Sequence, residues 1–230
     1  MKVGRFQDAA GRERLGIVLP DADGLRVLDA AAAVYAGGPR FPATMAELMA
    51  AGRAGLDAGY ALCDWAVSHG SEEWFAPEPR VRWLVPVAGA FCIAGGRNFA
   101  AHRAETAHIA QGAAAFHTEF PMGFLKVPGA MVPTRADVRR PDGVAWFDYE
   151  IEACAVIGCR AQDLSQRDAL HAVFGYTVLN DLSARELQRK EMANQAILLG
   201  KNFPGFAPVG PWITTADEMP SSLWTGLSVA

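Results

Sequence analysis

No run of apolar residues in this chain is long enough to cross a bilayer, and the start, Met1-Lys2-Val3-Gly4-Arg5, lacks the apolar core of a secretory signal. A basic stripe is missing too. The formal net charge is −4, and the densest cationic run, Arg135 to Arg140, is interrupted by Ala136, Asp137 and Val138. These absences argue against a membrane partner and a nucleic-acid partner. Cysteine is sparse: Cys63, Cys92, Cys154 and Cys159 are scattered, with no C-x-x-C and no zinc-type spacing, which leaves them as small buried hydrophobes. Gly95-Gly96 follows an apolar run, but no G-x-G-x-x-G or phosphate-loop pattern continues from it, so a nucleotide site is excluded. Internal repeats and low-complexity tracts are absent as well. Together these features place the chain in a reducing cytosol.

What is present is ordinary for a globular protein: 230 residues, 51% of them hydrophobic and 20% charged, enough to bury a sizeable core. Short strand-like runs at 2–6, 15–19 and 25–28 are followed by helical patterns at 44–51 and 56–68, each interrupted or closed by glycine. The stretch 72–86 is rich in charge, and Pro77, Pro79 and Pro86 break regular structure there. The chain is therefore divided into a small N-terminal domain (1–75), a linker (76–89) and a larger domain (90–230). In the larger part, 146–157 reads as a strand, Ser165 as the N-cap of a helix that Gly175 closes, and 176–179 as a further strand delivering Asn180 and Asp181.

Chemistry concentrates in a few segments. Glu150 and Glu152 stand one residue apart on a strand, so they share a face. Such a pair is more often a solvated face. Here Ile151, Ala153, Ala155, Val156 and Ile157 supply apolar residues on both faces, and two anions beside them require a cation or protonation. A hard divalent metal with Asp181 as third oxygen ligand is the simplest resolution. Ser183-Ala184-Arg185-Glu186 fits a capping box, which gives the cap to Ser183 and frees Asp181. His102 and Glu105, three apart on a helix-like stretch, form either a surface ion pair or an imidazole–carboxylate pair able to deprotonate water. Lys126 and Lys201 lie beside apolar residues; each either snorkels to the surface or counters a substrate anion.

Taken in order, these segments resemble the fumarylacetoacetate hydrolase family. The matching motifs are Asn98-Phe99-x-x-His102-x-x-Glu105, Phe124-Leu125-Lys126, Asp148-Tyr149-Glu150-Ile151-Glu152, Asn180-Asp181-x-Ser183-Ala184-Arg185, Gly200-Lys201 and Phe206-Ala207-Pro208-Val209-Gly210-Pro211-Trp212. The resemblance spans roughly 90–218. It implies an α/β (α+β) fold with a mixed β-roll or sandwich domain, a small N-terminal α/β domain, and a homodimer. It implies Mg²⁺ or Mn²⁺ on Glu150, Glu152 and Asp181, with His102, Glu105, Lys126 and Lys201 as catalytic residues and Arg185 and Gln188 lining the substrate site. The substrate class it implies is a small oxo-acid, and the activity is hydrolytic cleavage of a carbon–carbon bond in an acylpyruvate or other β-diketo acid. Oxaloacetate-type decarboxylation and isomerisation or hydration of an oxo-dienoic acid are alternatives within the family. A non-catalytic relative that binds metal and small oxo-acids is the alternative outside enzymes. Two departures stand out. Asn202-Phe203-Pro204-Gly205 replaces a segment where many relatives carry aspartate before a small residue, and the family's T-G-T-P-x-G segment is absent up to Ala230, which marks the chain as a fragment or a shortened member.

Overall fold

The computed structural model describes residues 1–90, 92–96 and 123–219. Strands β1 (Lys2–Gln7), β2 (Glu13–Asp21) and β3 (Gly24–Asp29) form an antiparallel meander. They match the expected alternating runs and extend further, because pairing continues into the polar turns: Gln7 faces Glu13 and Asp21 faces Gly24. Asp8 shapes the first turn, its carboxylate accepting from the Ala10 and Arg12 amides at 2.9 and 2.8 Å.

Helix α1 (Ala30–Tyr35) starts where the Asp29 carboxylate accepts from the Ala32 amide at 3.1 Å. The two expected helices at 44–51 and 56–68 are the two arms of one kinked helix, α2 (Met45–His69). Thr44 caps its start, accepting from the Glu47 amide at 3.2 Å, and left-handed Gly70 ends it. The kink sits at Gly52, whose φ of 52° and ψ of −130° are open only to glycine at little cost.

Short strands form where the prolines were expected to forbid them. β4 (Phe75–Pro77) adds to β3, and β5 (Arg82–Trp83) to β1, both as edge pieces where a missing amide donor is tolerated. Next come β6 (Cys92–Gly95) and β7 (Gly123–Lys126), which pair with each other, and β8 (Met131–Pro133), which runs parallel to the last strand. The expected strand 146–157 is two: β9 (Phe147–Asp148) and β10 (Ile151–Ile157), with Tyr149 and Glu150 between them outside any ladder. Helix α3 (Gln166–Ala169) has the expected Ser165 cap, accepting from the Asp168 amide at 3.2 Å.

Gly175 does not close that helix. It lies inside β11 (Val173–Asn180), pressed against the final strand, where an added Cβ would collide with the Thr214 carbonyl and lie 2.7 Å from the Ile213 side chain. Close backbone approach, not helix termination, is why glycine stands there. β12 (Ser183–Ala184) pairs with β9, helix α4 (Arg185–Met192) follows, and β13 (Ala207–Thr215) ends the described chain's regular sheet.

The result is a mixed α/β fold dominated by one large antiparallel sheet, ordered β10-β11-β13-β1-β2-β3-β4. The sheet runs unbroken across the 76–89 stretch, since β1 pairs with β13 through Lys2–Thr214 and Val3–Ile213. Its core follows suit: Val3, Ile17, Leu28, Leu48 and Leu62 pack in one cluster with Phe174 and Ile213. Burying each large aliphatic side chain contributes roughly 1.5–3 kcal/mol. Among the described residues, no helix is long and apolar enough to cross a membrane.

Candidate active site

Asp181 stands just past the end of β11, and its backbone is fixed on both sides. Its amide donates to the Glu150 carbonyl at 2.7 Å, and its carbonyl accepts from the Ser183 hydroxyl at 3.0 Å. The carboxylate is buried and receives two ammonium groups. Lys126 Nζ reaches Oδ1 at 2.6 Å, and Lys201 Nζ reaches Oδ2 at 2.6 Å. Both lysine side chains are almost wholly buried, at 0% and 2% exposure, so the snorkelling alternative does not hold for either.

Each lysine has a local reason to point inward. Lys126 ends β7, and its ammonium also donates to the Lys201 carbonyl. Burial pushes this ammonium below its ordinary pKa; the Asp181 charge opposes the shift, and neighbouring Lys201 adds to it. Lys201 closes the tight turn Leu199–Lys201, which packs on α4. Gly200 permits that contact, because a Cβ there would lie 2.7 Å from the Gln188 amide nitrogen. Glu191 anchors the same turn to α4, its carboxylate accepting from the amides of Leu198, Leu199 and Gly200 at 3.2, 2.5 and 3.0 Å. The Phe124 ring lies 5.3 Å from Lys201 Nζ, within cation–π range.

Glu150 is the second anion on Lys201, at 2.5 Å from Nζ. It leaves the sheet at the break between β9 and β10, which turns its carboxylate toward the lysine. Burial raises its pKa, but the Lys201 ammonium and then Arg185 outweigh burial and hold it below the ordinary carboxylate value. Arg185 is itself fully engaged. Its guanidinium pairs with Asp148 at 2.7 Å and Glu150 at 2.7 Å, and donates to the Gln188 side-chain oxygen at 2.9 Å. Arg185 and Gln188 are thus gathered next to the lysines through Glu150. Glu152 occupies the covered side of β10, alternating with outward Ile151 and Ala153. His102 and Glu105 lie outside the described residues.

The capping-box expectation is corrected. Ser183 is a strand residue whose hydroxyl turns back to Asp181, and Ala184 stands at the N-cap of α4 with no side-chain cap bond. Glu186 instead reaches sideways, accepting from the Ala145 and Trp146 amides at 2.9 and 2.6 Å. Pairing of Ser183 with Asp148 in the β9–β12 ladder removes it from the cap position.

A hard divalent ion suits the donor chemistry here. Glu150 and Asp181 already share one cation, the Lys201 ammonium, through oxygens at 2.5 and 2.6 Å. As they stand, no three His, Cys, Asp or Glu side chains among the described residues converge on a common point as metal ligands. The Lys201 ammonium lies between the two carboxylates.

Three contributors escaped the sequence reading: Asp148, Glu191 and Asn202. Asp148 opens the D-Y-E-x-E motif and could have been found there; Glu191 lies in no motif and gave no signal. Asn202 was visible only as the residue after Lys201.

Comparison with known proteins gives the family. The profile of the fumarylacetoacetate (FAA) hydrolase C-terminal domain matches residues 91–230. A Burkholderia lata protein whose name goes no further than hydrolase is 32% identical over 220 residues, which is 96% of this chain and 68% of that one. The chain spans between 47% and 68% of the length of its Burkholderia relatives. Two solved structures share the fold. One is maleylpyruvate hydrolase from Sphingobium sp. SYK-6 in complex with manganese(II) ion and pyruvate, with TM-score 0.66, 24% identity, and coverage of 95% of this chain and 69% of that one. The other is 5-carboxymethyl-2-hydroxymuconate delta-isomerase from Mycobacterium smegmatis, with TM-score 0.64, 24% identity, and coverage of 96% and 69%. Hydrolases and isomerases both carry this architecture, and with the profile match covering more than half of its length, this chain belongs to the fumarylacetoacetate hydrolase family.

Proposed function

We propose that the site belongs to a metal-dependent hydrolase that cleaves a carbon–carbon bond in an acylpyruvate-type β-diketo acid. The observation that carries this reading is the convergence of two buried ammonium groups, Lys126 and Lys201, on Asp181, with Glu150 on the second of them. Burying two like charges together is costly, and a site that does so is suited to anionic substrates and developing negative charge. The maleylpyruvate hydrolase named above, solved with manganese and pyruvate, supports the same reaction class.

Glu150, Glu152 and Asp181 are the residues that would hold Mg²⁺ or Mn²⁺, which when bound supplies Lewis acidity beside the substrate's carboxylate and oxo group. The chain's own residues do the rest. His102, oriented by Glu105, takes a proton from the water that attacks the distal carbonyl. The carbon–carbon bond then breaks, its electron pair passing to the oxo-acid fragment and onto that fragment's oxo oxygen. Lys126 or Lys201 faces the resulting charge, stabilising it in a dry environment where an ammonium acts more strongly than in water. Protonation of the fragment at carbon completes the balance. Arg185, itself held by Gln188, orients Glu150, and the two line the approach.

Isomerisation is the second reading, favoured by the fold shared with the delta-isomerase. It needs no positioned water. His102→Ala separates the two: hydrolysis falls steeply, whereas isomerisation persists. The first test is calorimetric titration with Mn²⁺ beside a Glu150→Ala control, followed by a screen of diketo acids. Saturable binding lost in the control and turnover of an acylpyruvate support the proposal. Absence of binding by the folded chain would overturn it.

A further inference from the structure

The two lysines arrive from distant parts of the chain: Lys126 from β7, and Lys201 from a turn 75 residues later. Their charges repel, and Asp181 alone does not fix the spacing of the two backbones. A neutral group does that. The Asn202 side-chain oxygen accepts from the Val127 amide at 2.8 Å, and its nitrogen donates to the Leu125 carbonyl at 2.8 Å. Leu125 and Val127 flank Lys126, and their carbonyl and amide point the same way along the strand edge. The Asn202 amide therefore pairs with β7 as a neighbouring strand would. Among the described residues β7 has only β6 as a strand partner, so its other edge is open to this contact. The second Asn202 N–H donates to the Leu198 carbonyl at 2.9 Å, closing the turn that carries Lys201.

We propose that Asn202 is a positioning residue that locks the Lys126 strand and the Lys201 turn into one unit, setting the separation of the two ammonium groups. The inference rests on the reading of these lysines as active-site groups. Only a primary amide supplies the required set, two donors and one acceptor on a short arm. Aspartate matches its shape but keeps just the acceptor, and sets a carboxylate against the Leu125 and Leu198 carbonyls. Alanine keeps nothing. The Asn202 side-chain amide is already engaged with Val127, Leu125 and Leu198 and acts through the lysines, so the expected loss falls on the rate of the chemical step rather than on binding: misplacement by about 1 Å costs up to roughly a hundredfold.

Asn202→Ala and Asn202→Asp, made in the full chain, test this with two readouts. The first is amide hydrogen exchange at Val127, with α2 amides around Leu62 as an internal reference for global folding. Asn202→Ala should exchange at least about tenfold faster at Val127, while Asn202→Asp, which retains the acceptor, stays protected. The second is steady-state turnover of the diketo acid found in the screen: both variants should lose at least about tenfold in kcat with KM within about threefold of wild type. Unchanged Val127 exchange in Asn202→Ala, or wild-type kcat in both variants, overturns the proposal while leaving the hydrolase reading intact. A wild-type chain that turns over no diketo acid removes the reading of the lysines, and the proposal with it, whatever Val127 does.

Discussion

Replacing Asp181 with alanine, in the presence of a chelator, strips the carboxylate that both buried ammonium groups share. Lys126 is left with the Lys201 carbonyl as its polar contact, and Lys201 with Glu150 and the face of Phe124. Breaking a buried pair by removing one partner costs about 3–5 kcal/mol, because the remaining charge is uncompensated in a dry site. Lys201 keeps one anion, so the lower half of that range is expected, about 3–4 kcal/mol. The complementary change, Lys126→Met, behaves differently. Asp181 keeps Lys201 at 2.6 Å, and an apolar side chain of similar length removes the desolvation penalty that the ammonium carried. It should cost about 1 kcal/mol or less, or even stabilise the chain. Equilibrium urea unfolding reads both through the fluorescence of buried Trp83. At a slope of about 3 kcal/mol per M, the Asp181→Ala midpoint falls by about 1 M and that of Lys126→Met barely moves. A cost below about 1 kcal/mol for Asp181→Ala is the value of an exposed ion pair and would refute the reasoning, as would equal costs for the two variants.

Three further outcomes follow from the fold. Asp8 is held down to a pKa of about 2, first by the Arg12 amide and then, against desolvation that opposes the shift, by the Arg12 and Arg14 side chains and the Ala10 amide. Its folded value lies below the ordinary one, so the stability it contributes is present above about pH 4 and is lost as pH falls through about 2; Asp8→Asn should flatten the melting temperature across that window, and parallel curves would count against the turn's role. Gly175→Ala forces a Cβ onto the Thr214 carbonyl at the β11–β13 contact and should cost about 1–3 kcal/mol in a urea titration, a neutral result being incompatible with the close approach described. Leu62→Ala empties a fully buried position in the main core and should cost about 2–5 kcal/mol by the same measurement, a value under 1 kcal/mol showing that the cluster is not packed as described.

Local signals in this chain were legible wherever the physics is local. The cap at Ser165, the helical pattern at 44–51 and the alternation of β1 to β3 are contests between neighbouring residues, and the sequence contains both contestants. The misreadings share one cause. Ser183 and Gly175 sit in motifs that are purely local, yet each is claimed by a partner far along the chain: Asp148 for Ser183 and Thr214 for Gly175. Likewise the segment at 146–157 reads as one strand, but its first part pairs with β12 and its second with β11, so the ladder breaks at Tyr149 and Glu150.

The family was determined by sequence alone, because its motifs of carboxylates, lysines and an imidazole stand in a fixed order along the chain. Which charge neutralises which was decided only by the tertiary structure. The D-Y-E-x-E pair asked for a cation, and the fold answered with Lys201 on Glu150, Arg185 across Glu150 and Asp148, and both lysines on Asp181. Counter-ions in a buried site are chosen by distance and desolvation, and the distance between residues 55 positions apart is set by how the sheet folds, not by their spacing in the chain.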